Sequence, residues 1–492
     1  MLVHNKSIPC ENFIFDDDVY GYTSVIEYKL TCKNAYFIAT SNALFMVGVM
    51  IGSIVFGELS DRYGRKLTFF ISLVMQLVFG VIAAFSPEYW TFTIARVIVG
   101  ASTSGVFLVA YVIGLEMVGP SKRPIAGTVS QMFFSLGYML TAVFALYISD
   151  WRTLQFALTI PGVFFLCYWW FIPESARWLI SKNKMIEAKQ LIQIAAKSNK
   201  VTISDETLNS LLASTEEKHK TKDPNEKSPS VLDIFKHSNL RKRALIIFFD
   251  WFANNITYYG LSWNTNNLGG NPYLNFVISG AVEIPAYTFL ILTLNRWGRK
   301  KIMCGCMIVA GLALILTMAV PRSQQWLVVT LAMIGKLAIT ASYGAVYIFS
   351  TEQFPTVIRN AGLGAGSTCA RLGSIIAPYI NLMREKLSPQ ENFLKYNYTS
   401  CPIGIESEIF ELRFTFIGGV LSLVLPETLN KRLPETIEEG EAFGKEIGEI
   451  GITKEDEVLN SVKTDKLKTL PNNIENNENT DAESKLLANG TT

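Results

Sequence analysis

The sequence has little charge for its length. Asp, Glu, Lys and Arg make up 17% of its 492 residues, whereas soluble domains carry about 25%. The charge is missing from long apolar runs and is concentrated in the segments between them, which is typical of a chain that crosses a lipid bilayer several times. The formal net charge of +2 is too small to indicate a nucleic-acid partner.

Motifs for covalent or metal chemistry are scarce as well. There are seven cysteines without paired CxxC spacing and three histidines, none of them in an apolar run. The sequence contains no GxxxxGK[ST] phosphate-binding loop and no nucleophile–base cluster, so we expect neither an enzyme nor a self-contained ATP-driven pump. We expect no metal and no cofactor. The polar start MLVHNKSIPCENF is not a signal peptide.

Apolar runs predict membrane-spanning helices, because a helix needs about 20 mainly apolar residues to cross the hydrocarbon and strands would need a closed barrel. Ten candidates lie at about 36–56, 67–86, 90–114, 125–148, 154–172, 244–263, 274–294, 302–320, 326–349 and 361–382, and a shorter eleventh lies at about 414–426. Basic residues in 57–66, 174–243 and 295–301 place these three segments in the cytosol by the positive-inside rule.

These spans predict an all-α membrane protein with about 10–11 transmembrane helices present. The expected parts are an extracellular remnant (1–35), an N-terminal bundle (36–173), a cytoplasmic loop (174–243), a C-terminal bundle (244–426) with an extracellular loop at 383–413, and a disordered cytoplasmic tail (427–492). Sequons at Asn5 and Asn397 predict glycosylation of the outside segments. We expect a monomer in the plasma membrane.

Three motifs occur twice and in the same order. DRYGRK at 61–66 returns as NRWGRK at 295–300, and PES at 173–175 returns as PET at 426–428. The third is a glutamate followed seven residues later by an arginine, at 116 and 123 and again at 352 and 359. Such repeats predict two homologous six-helix bundles joined by the 174–243 loop, which is the parallel repeat of the major facilitator fold.

The repeated charges predict a cytoplasmic gate, in which opposite charges bridge the halves in one state and separate in another. Its candidate residues are Asp61, Arg62, Arg65, Glu116, Arg123, Arg296, Arg299, Glu352 and Arg359. We expect the second copy to hold more weakly, because Asn295 replaces the acid of the first. In the alternative interpretation, the basic residues only anchor the loops at the membrane surface.

These motifs resemble the organic cation, carnitine and organic anion transporters, which form the solute carrier 22 family. The resemblance lies in GELSDRYGRK (57–66), PESARWL (173–179), GLSWNTNNLGGN (260–271), AVEIPAY (281–287), TEQFPTVIRNAGLG (351–364), ARLGSIIAPY (370–379) and LPETLNKRLPETIEE (425–439). It implies a secondary transporter that moves small organic ions by alternating access, with sodium or proton coupling left open. The family's first helix lies before the start of this sequence and its last is short here, so we expect an incomplete N-terminal bundle.

Ionisable side chains inside a span are costly and indicate function. Glu283, Lys336 and Arg371 lie in predicted spans. The resemblance implies that a base at the position of Arg371 accompanies anion and carnitine carriers, so Arg371 favours substrates with a carboxylate. In the alternative interpretation, Glu283 and Lys336 form a structural pair that holds the bundle together.

Aromatic faces attract ammonium groups. Trp251 and Tyr258 share one helical face, and the resemblance places both near the substrate, together with Gln131 and Phe134. Weaker candidates are Tyr111, Tyr343 and Tyr347, and any of these aromatics could instead serve packing.

Two alternatives to an organic-ion transporter stay open, and a membrane-embedded enzyme ranks last. A sugar porter of the same superfamily would need a polar, uncharged cavity, which Lys336 and Arg371 disfavour. A non-transporting, truncated isoform is favoured by the absence of the first helix.

Overall fold

The computed structural model describes residues 2–3, 6–7, 21–119, 122–201, 204, 208–210, 231–265, 271–321, 324–387, 405–431 and 433–444. The glycosylation sites predicted at Asn5 and Asn397 lie outside these residues. Two short strands, β1 (Leu2–Val3) and β2 (Lys6–Ser7), pair antiparallel, with Leu2 opposite Ser7.

Helices of the first half follow in chain order. They are α1 (Ser24–Glu27), α2 (Tyr36–Tyr63), α3 (Arg65–Ala84), α4 (Tyr89–Met117), α5 (Arg123–Tyr147) and α6 (Trp151–Thr159). A 3-10 helix, Ile160–Trp170, continues α6, and another, Cys32–Asn34, precedes α2. The segment between the halves contains α7 (Ala176–Ser181), α8 (Met185–Ser198) and α9 (Val231–Lys236).

The second half repeats this pattern. Its helices are α10 (Ser238–Asn264), α11 (Pro272–Ala281), α12 (Glu283–Trp297), α13 (Arg299–Ala319), α14 (Gln325–Gln353), α15 (Arg359–Leu387), α16 (Ile405–Leu421) and α17 (Ile437–Ala442). A 3-10 turn, Ser422–Val424, follows α16.

Eight helical segments of the described residues are long and apolar enough to span a membrane, with α11 and α12 counted as one. The apolar helix Arg413–Val424 is shorter. Helices α10 and α15 are as long as the spanning helices but more polar, since α10 carries Asp250, Asn254 and Asn255 in its middle. These polar residues are buried against other helices, as is required inside a bilayer.

A break between α11 and α12 falls at Val282. Pro285 has no N–H to donate to the carbonyl of Ala281, so the helix loses a hydrogen bond at this point. The break starts a new helix at Glu283 and brings this residue into the interior of the protein, where it is 1% exposed.

The two halves meet through equivalent helices. Helix α2 packs against α15, and α5 packs against α11 and α12. Near the side predicted to be extracellular, the hydroxyl of Tyr379 donates to Thr40 at 3.3 Å. Within the halves, α4 packs on α2 and α3, and α10 packs on α15.

Part of the segment expected to be a disordered tail, 427–492, is ordered in the structure. Glu441 of α17 accepts from the backbone N–H of Asn239 and Leu240 at 2.9–3.0 Å, which caps the start of α10. Arg243 donates to the carbonyl of Gly440. The sequence shows no apolar period here because α17 is held by caps and ion-dipole contacts. Residues 445–492 lie outside the described part.

Helix bounds also differ from those expected around 383–413, the segment predicted to be an extracellular loop. Helix α15 continues to Leu387, and α16 begins at Ile405 rather than at about 414. The sequence IESEIFELR at 405–413 is rich in good helix formers, and hydropathy alone does not detect it because it carries four charges.

Candidate substrate-binding site

A buried ion pair lies at the centre of the second half. Lys336 Nζ of α14 is 3.1 Å from Glu283 Oε1 of α12, and the two residues are 2% and 1% exposed. The hydroxyl of Tyr258 donates to the same carboxylate at 2.7 Å. Lys336 also contacts Ser262 Oγ and lies 3.5 Å above the ring of Tyr258. The charge of Glu283 is therefore matched by a cation and by hydroxyl donors.

The other half contributes to this ion pair. Ser135 Oγ of α5 donates to Glu283 Oε2 at 2.6 Å. One helical turn away on α5, Tyr138 stacks on Phe276 of α11 at 3.9 Å between ring centroids. Glu283 is thus a point at which both halves meet in the interior.

Five aromatic side chains form a continuous cluster beside the ion pair, which we call the aromatic cluster: Trp251, Tyr258, Tyr259, Tyr343 and Tyr347. Neighbouring rings lie 4.4–6.1 Å apart. On α10 the two tyrosines follow the tryptophan by seven and eight residues, and on α14 the two tyrosines are four residues apart, so each set lies on one face of its helix.

Arg371 of α15 lies against the aromatic cluster. Its guanidinium is close to the hydroxyls of Tyr259, Tyr343 and Tyr347, and its Nε has no hydrogen-bond partner among the described residues. No carboxylate of the described residues forms a salt bridge with it. Glu283 borders the aromatic cluster at Tyr258 and Arg371 interacts with it at Tyr259, so the aromatic cluster is the region that the two charged groups share.

The other predicted substrate residues occupy different surroundings. Trp251 is fully buried and donates to Ser350 Oγ at 2.9 Å, which is a packing role within the second half. Gln131 is half-buried and lies one turn before Ser135 on α5. Phe134 is 49% exposed, and no described contact links it to the aromatic cluster.

A cavity of about 370 Å³ lies in the first half, among α3, α4 and α5. Its polar lining includes Gln76, Thr103, Tyr111 and Ser130. Glu283, Lys336 and Arg371 do not line this cavity. Tyr111, one of the weaker substrate candidates, thus lines this cavity in the first half.

The gate charges of the first half pair with one another. Arg65 NH1 is 2.9 Å from Asp61 Oδ1, and Arg65 Nε is 3.5 Å from Glu116 Oε2. Arg62 instead lies over the ring of Tyr63, and Arg123 donates to backbone carbonyls at the end of α4.

In the second half, Arg299 Nε is 3.1 Å from Glu352 Oε2, and Thr428 also contacts Glu352. This pair is shorter than the Arg65–Glu116 pair, although we expected the second copy to be weaker. Arg296 is exposed and Arg359 contacts Thr356, so the structure does not bring these two into the pair.

The repeated PES and PET motifs have a clear structural role. Glu174 accepts from the backbone N–H of Arg65 and Lys66 at the start of α3, at 2.9 and 3.3 Å. Glu427 does the same for Arg299 and Lys300 at the start of α13, at 3.0 and 3.2 Å. Both carboxylates thereby satisfy free N–H groups at a helix N-terminus.

Comparison with known proteins agrees with this architecture. The model of the family described as "Sugar (and other) transporter" matches residues 14–435. The chain is 55% identical over 443 residues to the "Organic cation transporter protein" of Drosophila melanogaster, with 90% of this chain and 78% of that protein covered. It is 35% identical over 426 residues to the human "Organic cation/carnitine transporter 2", with 86% and 73% covered. The chain belongs to the solute carrier 22 family of the major facilitator superfamily.

The fold of this solute carrier 22 protein also matches a solved structure. The xylose transporter XylE from E. coli, in a partially occluded inward open conformation, superimposes with a TM-score of 0.60 at 16% identity, over 82% of this chain and 90% of that one. At this identity the likeness concerns the fold alone. The protein is therefore a multi-pass membrane protein with the major facilitator fold, and its relatives are transporters.

Sequence reasoning missed several polar residues of this solute carrier 22 protein. Ser135 and Ser262 contact the ion pair, but short hydroxyl side chains carry no signal in an apolar run. Arg96 and Asp250 are charged residues inside predicted spans, so the reasoning that singled out Glu283 should have found them. Arg96 donates to side chains of α2, and Asp250 is fully buried.

Proposed function

We propose that this protein is a secondary transporter of small organic ions that carry a carboxylate, either organic anions or zwitterions such as carnitine. The observation that carries the proposal is the charge balance around the aromatic cluster. Glu283 is neutralised by Lys336 at 3.1 Å, whereas Arg371 has no carboxylate partner among the described residues. The shared region therefore carries one uncompensated positive charge, which a substrate carboxylate would match.

Zwitterions fit this region in a second respect. The aromatic cluster lies beside Arg371, and aromatic faces attract quaternary ammonium groups by about 0.5–2 kcal/mol each. A substrate with a carboxylate at one end and an ammonium group at the other would use both features. The human relative's name includes carnitine, which supports this substrate class.

Simple organic cations are the second candidate. The name of the Drosophila relative refers to organic cations, and the aromatic cluster would suit them. The positive charge of Arg371 opposes them, because an unscreened like charge in a region of low dielectric constant is costly.

Alternating access would move the two halves as rigid bodies. The paired charges of Asp61, Arg65 and Glu116, and the pair of Arg299 with Glu352, lie within single halves. In this conformation these charges do not form the bridge between the two halves that we predicted for one state of the gate. They support a gate in which each cluster ties the ends of neighbouring helices of its own half, at the membrane surface predicted to be cytoplasmic.

The test is uptake of labelled carnitine, a dicarboxylate and tetraethylammonium by cells that carry the protein at their surface. We expect uptake of carnitine or the dicarboxylate, and a loss of at least about tenfold in Arg371→Asp, since a buried charge contact contributes about 2–5 kcal/mol. Arg241→Asp is the control, because Arg241 is exposed at the start of α10. Uptake of tetraethylammonium alone by the unchanged protein would overturn the proposal.

A further inference from the structure

A second carboxylate is buried in the second half, away from the aromatic cluster. Asp250 lies in the middle of α10, about 18 Å along the helix from its first residue, and is 0% exposed. Its Oδ2 accepts from Ser422 Oγ at 2.7 Å. Its Oδ1 has no hydrogen-bond partner in the part of the chain that the structure describes.

Asp250 belongs to a polar seam between α10 and the segment formed by α16 and the 3-10 turn after it. Thr257 of α10 and Thr415 of α16 contact each other through their hydroxyls, and Asp250, seven residues before Thr257, contacts Ser422, seven residues after Thr415. The paired positions run in opposite directions, so one face of α10 lies along one face of α16. Asn254 lies between these contacts on α10, and its Oδ1 is also without a partner.

No basic side chain of the described residues pairs with Asp250. Across the interface, Ser422 donates to Asp250 and Gly418 packs against it, and the thiol of Cys304 on α13 interacts with it electrostatically. Cys304 is the titratable group of α13 that interacts electrostatically with Asp250. Lys300, also on α13, interacts electrostatically with Cys304 but forms no ion pair with Asp250. An ionised carboxylate in such a place would be an unpaired charge, which costs several kcal/mol.

The space around Oδ1 distinguishes a proton from a metal cation. An added Cβ on Gly418 would lie 3.1 Å from Asp250 Oδ1, so α16 packs closely on α10 at this oxygen, and no group of three or more His, Cys, Asp or Glu side chains among the described residues could hold a metal ion. A hard metal cation takes about six or more oxygen ligands. A proton needs almost no space. On Asp250 it also supplies a hydrogen-bond donor in a seam where Asp250 Oδ1 and Asn254 Oδ1 are buried without one.

We propose that Asp250 is a proton-binding site that is occupied in this conformation, and that loss of its proton favours separation of α16 from α10. The site lies outside the predicted substrate region and does not depend on which substrate the protein carries. A carboxylic acid at Asp250 lets the seam close without an unpaired charge. Ionisation would draw water to Oδ1, and water admitted beside the closely packed Gly418 would push α16 away from α10.

Infrared difference spectroscopy of the purified protein in lipid, with acid–base jumps, tests the proposal directly. We expect a protonated-carboxyl band near neutral pH that disappears in Asp250→Asn. Glu283→Gln is the matched control, since it also removes one buried carboxyl group, but one paired with Lys336; the band should remain. Absence of the band in the unchanged protein, or its loss in Glu283→Gln alone, would overturn the proposal.

Stability against pH gives a second readout. If the native state holds one proton that the unfolded state releases, the folding equilibrium constant falls by about tenfold per pH unit as the pH rises. We expect this part of the pH dependence to be absent from Asp250→Asn, which should be at least as stable as the unchanged protein in alkaline buffer. Identical pH dependence of the two proteins would contradict the proposal. If Asp250→Asn does not fold, the band in the unchanged protein still decides.

Discussion

At the residue scale, the Glu283–Lys336 pair has two candidate roles, holding the bundle together and binding substrate. A single and a double variant distinguish these roles. Removing one partner of a buried ion pair leaves an uncompensated charge and costs about 3–5 kcal/mol, whereas removing both is often nearly neutral. We expect Lys336→Met to lower the free energy of unfolding by that amount, and Lys336→Met with Glu283→Gln to restore most of it. Thermal unfolding of the purified protein measures this cycle.

Transport measurements on the same variants test the substrate role. If the pair only holds the bundle together, the stable double variant should carry substrate at nearly the rate of the unchanged protein. If Glu283 contacts substrate, the double variant should be stable but slow. A double variant as unstable as Lys336→Met alone would contradict the predicted coupling between the two charges.

The sequence predicted the charged members of this region but not its geometry. Glu283, Lys336 and Arg371 were recognisable because charges are rare in apolar runs. That Lys336 matches Glu283 and leaves Arg371 without a carboxylate depends on which faces of α12, α14 and α15 meet, and hydropathy does not determine this. Trp251 shares a helical face with Tyr258, as predicted, but its ring is enclosed by packing.

A second contact at the residue scale makes stability depend on pH. Glu27 accepts from Arg152 Nε at 3.1 Å and from Trp151 Nε1 at 2.8 Å, and the hydrogen bond from Arg152 lowers the pKa of Glu27 below its ordinary value. The stabilisation is complete above the unfolded-state pKa of about 4.3 and is lost as the pH falls through the lower pKa of the folded state.

We therefore expect Glu27→Gln to destabilise the protein by about 1 kcal/mol at neutral pH, with the difference disappearing in acid. Melting temperatures of both proteins across a pH series measure it. Glu187→Gln is the control, because the Lys184–Glu187 pair is largely exposed and should have almost no effect. A constant difference between Glu27→Gln and the unchanged protein down to the lowest pH would contradict the ion-pair explanation.

At the element scale, two glycines separate consecutive helices in the same way. Gly64 has φ +110° and Gly298 has φ +96°, a conformation that is strained for any residue with a Cβ. An added Cβ would lie 2.5 Å from the carboxylate of Glu174 at Gly64, and 2.5 Å from that of Glu427 at Gly298. The same carboxylates cap α3 and α13, so the turn and the cap depend on each other.

Gly64→Ala should lower the free energy of unfolding by about 1–3 kcal/mol through backbone strain alone, with a further loss if Glu174 is displaced. The matched control is Gly57→Ala, because Gly57 lies inside α2 with no other atom within 4 Å of an added Cβ. The control should be neutral or stabilising by up to about 1 kcal/mol. Thermal unfolding compares the two, and equal effects would show that the turn conformation at Gly64 is not limiting.

The helices and turns also show which parts of the fold could be predicted from the sequence. Apolar period and length located the spans, and the repeated motifs predicted two homologous bundles. The pattern did not reveal that Gly57 is helical, that Pro285 starts a new helix at Glu283, or that α17 caps α10 through Glu441. Each of these features depends on a single backbone hydrogen bond or on a contact between residues distant in the sequence. Hydropathy averaged over a window of residues detects neither.

At the scale of the whole molecule, contacts between the halves are uneven. Tyr379 of α15 contacts Thr40 of α2 near the side predicted to be extracellular, and Ser135 contacts Glu283 in the interior. None of the ion pairs formed by the described residues joins the halves. An alternating-access transporter must open the contact between Thr40 and Tyr379 in its other state.

Cross-linking tests this requirement. With the seven native cysteines replaced, Thr40→Cys and Tyr379→Cys joined by a short bifunctional thiol reagent should reduce uptake by at least about tenfold, since the linked halves cannot separate. The control joins Phe37→Cys to Tyr89→Cys, whose rings lie 4.9 Å apart within the first half, and should leave uptake nearly unchanged. A reducible reagent should restore uptake when the link is cut. Undiminished uptake by the fully linked Thr40–Tyr379 protein would mean that the halves do not separate at α2 and α15 during transport.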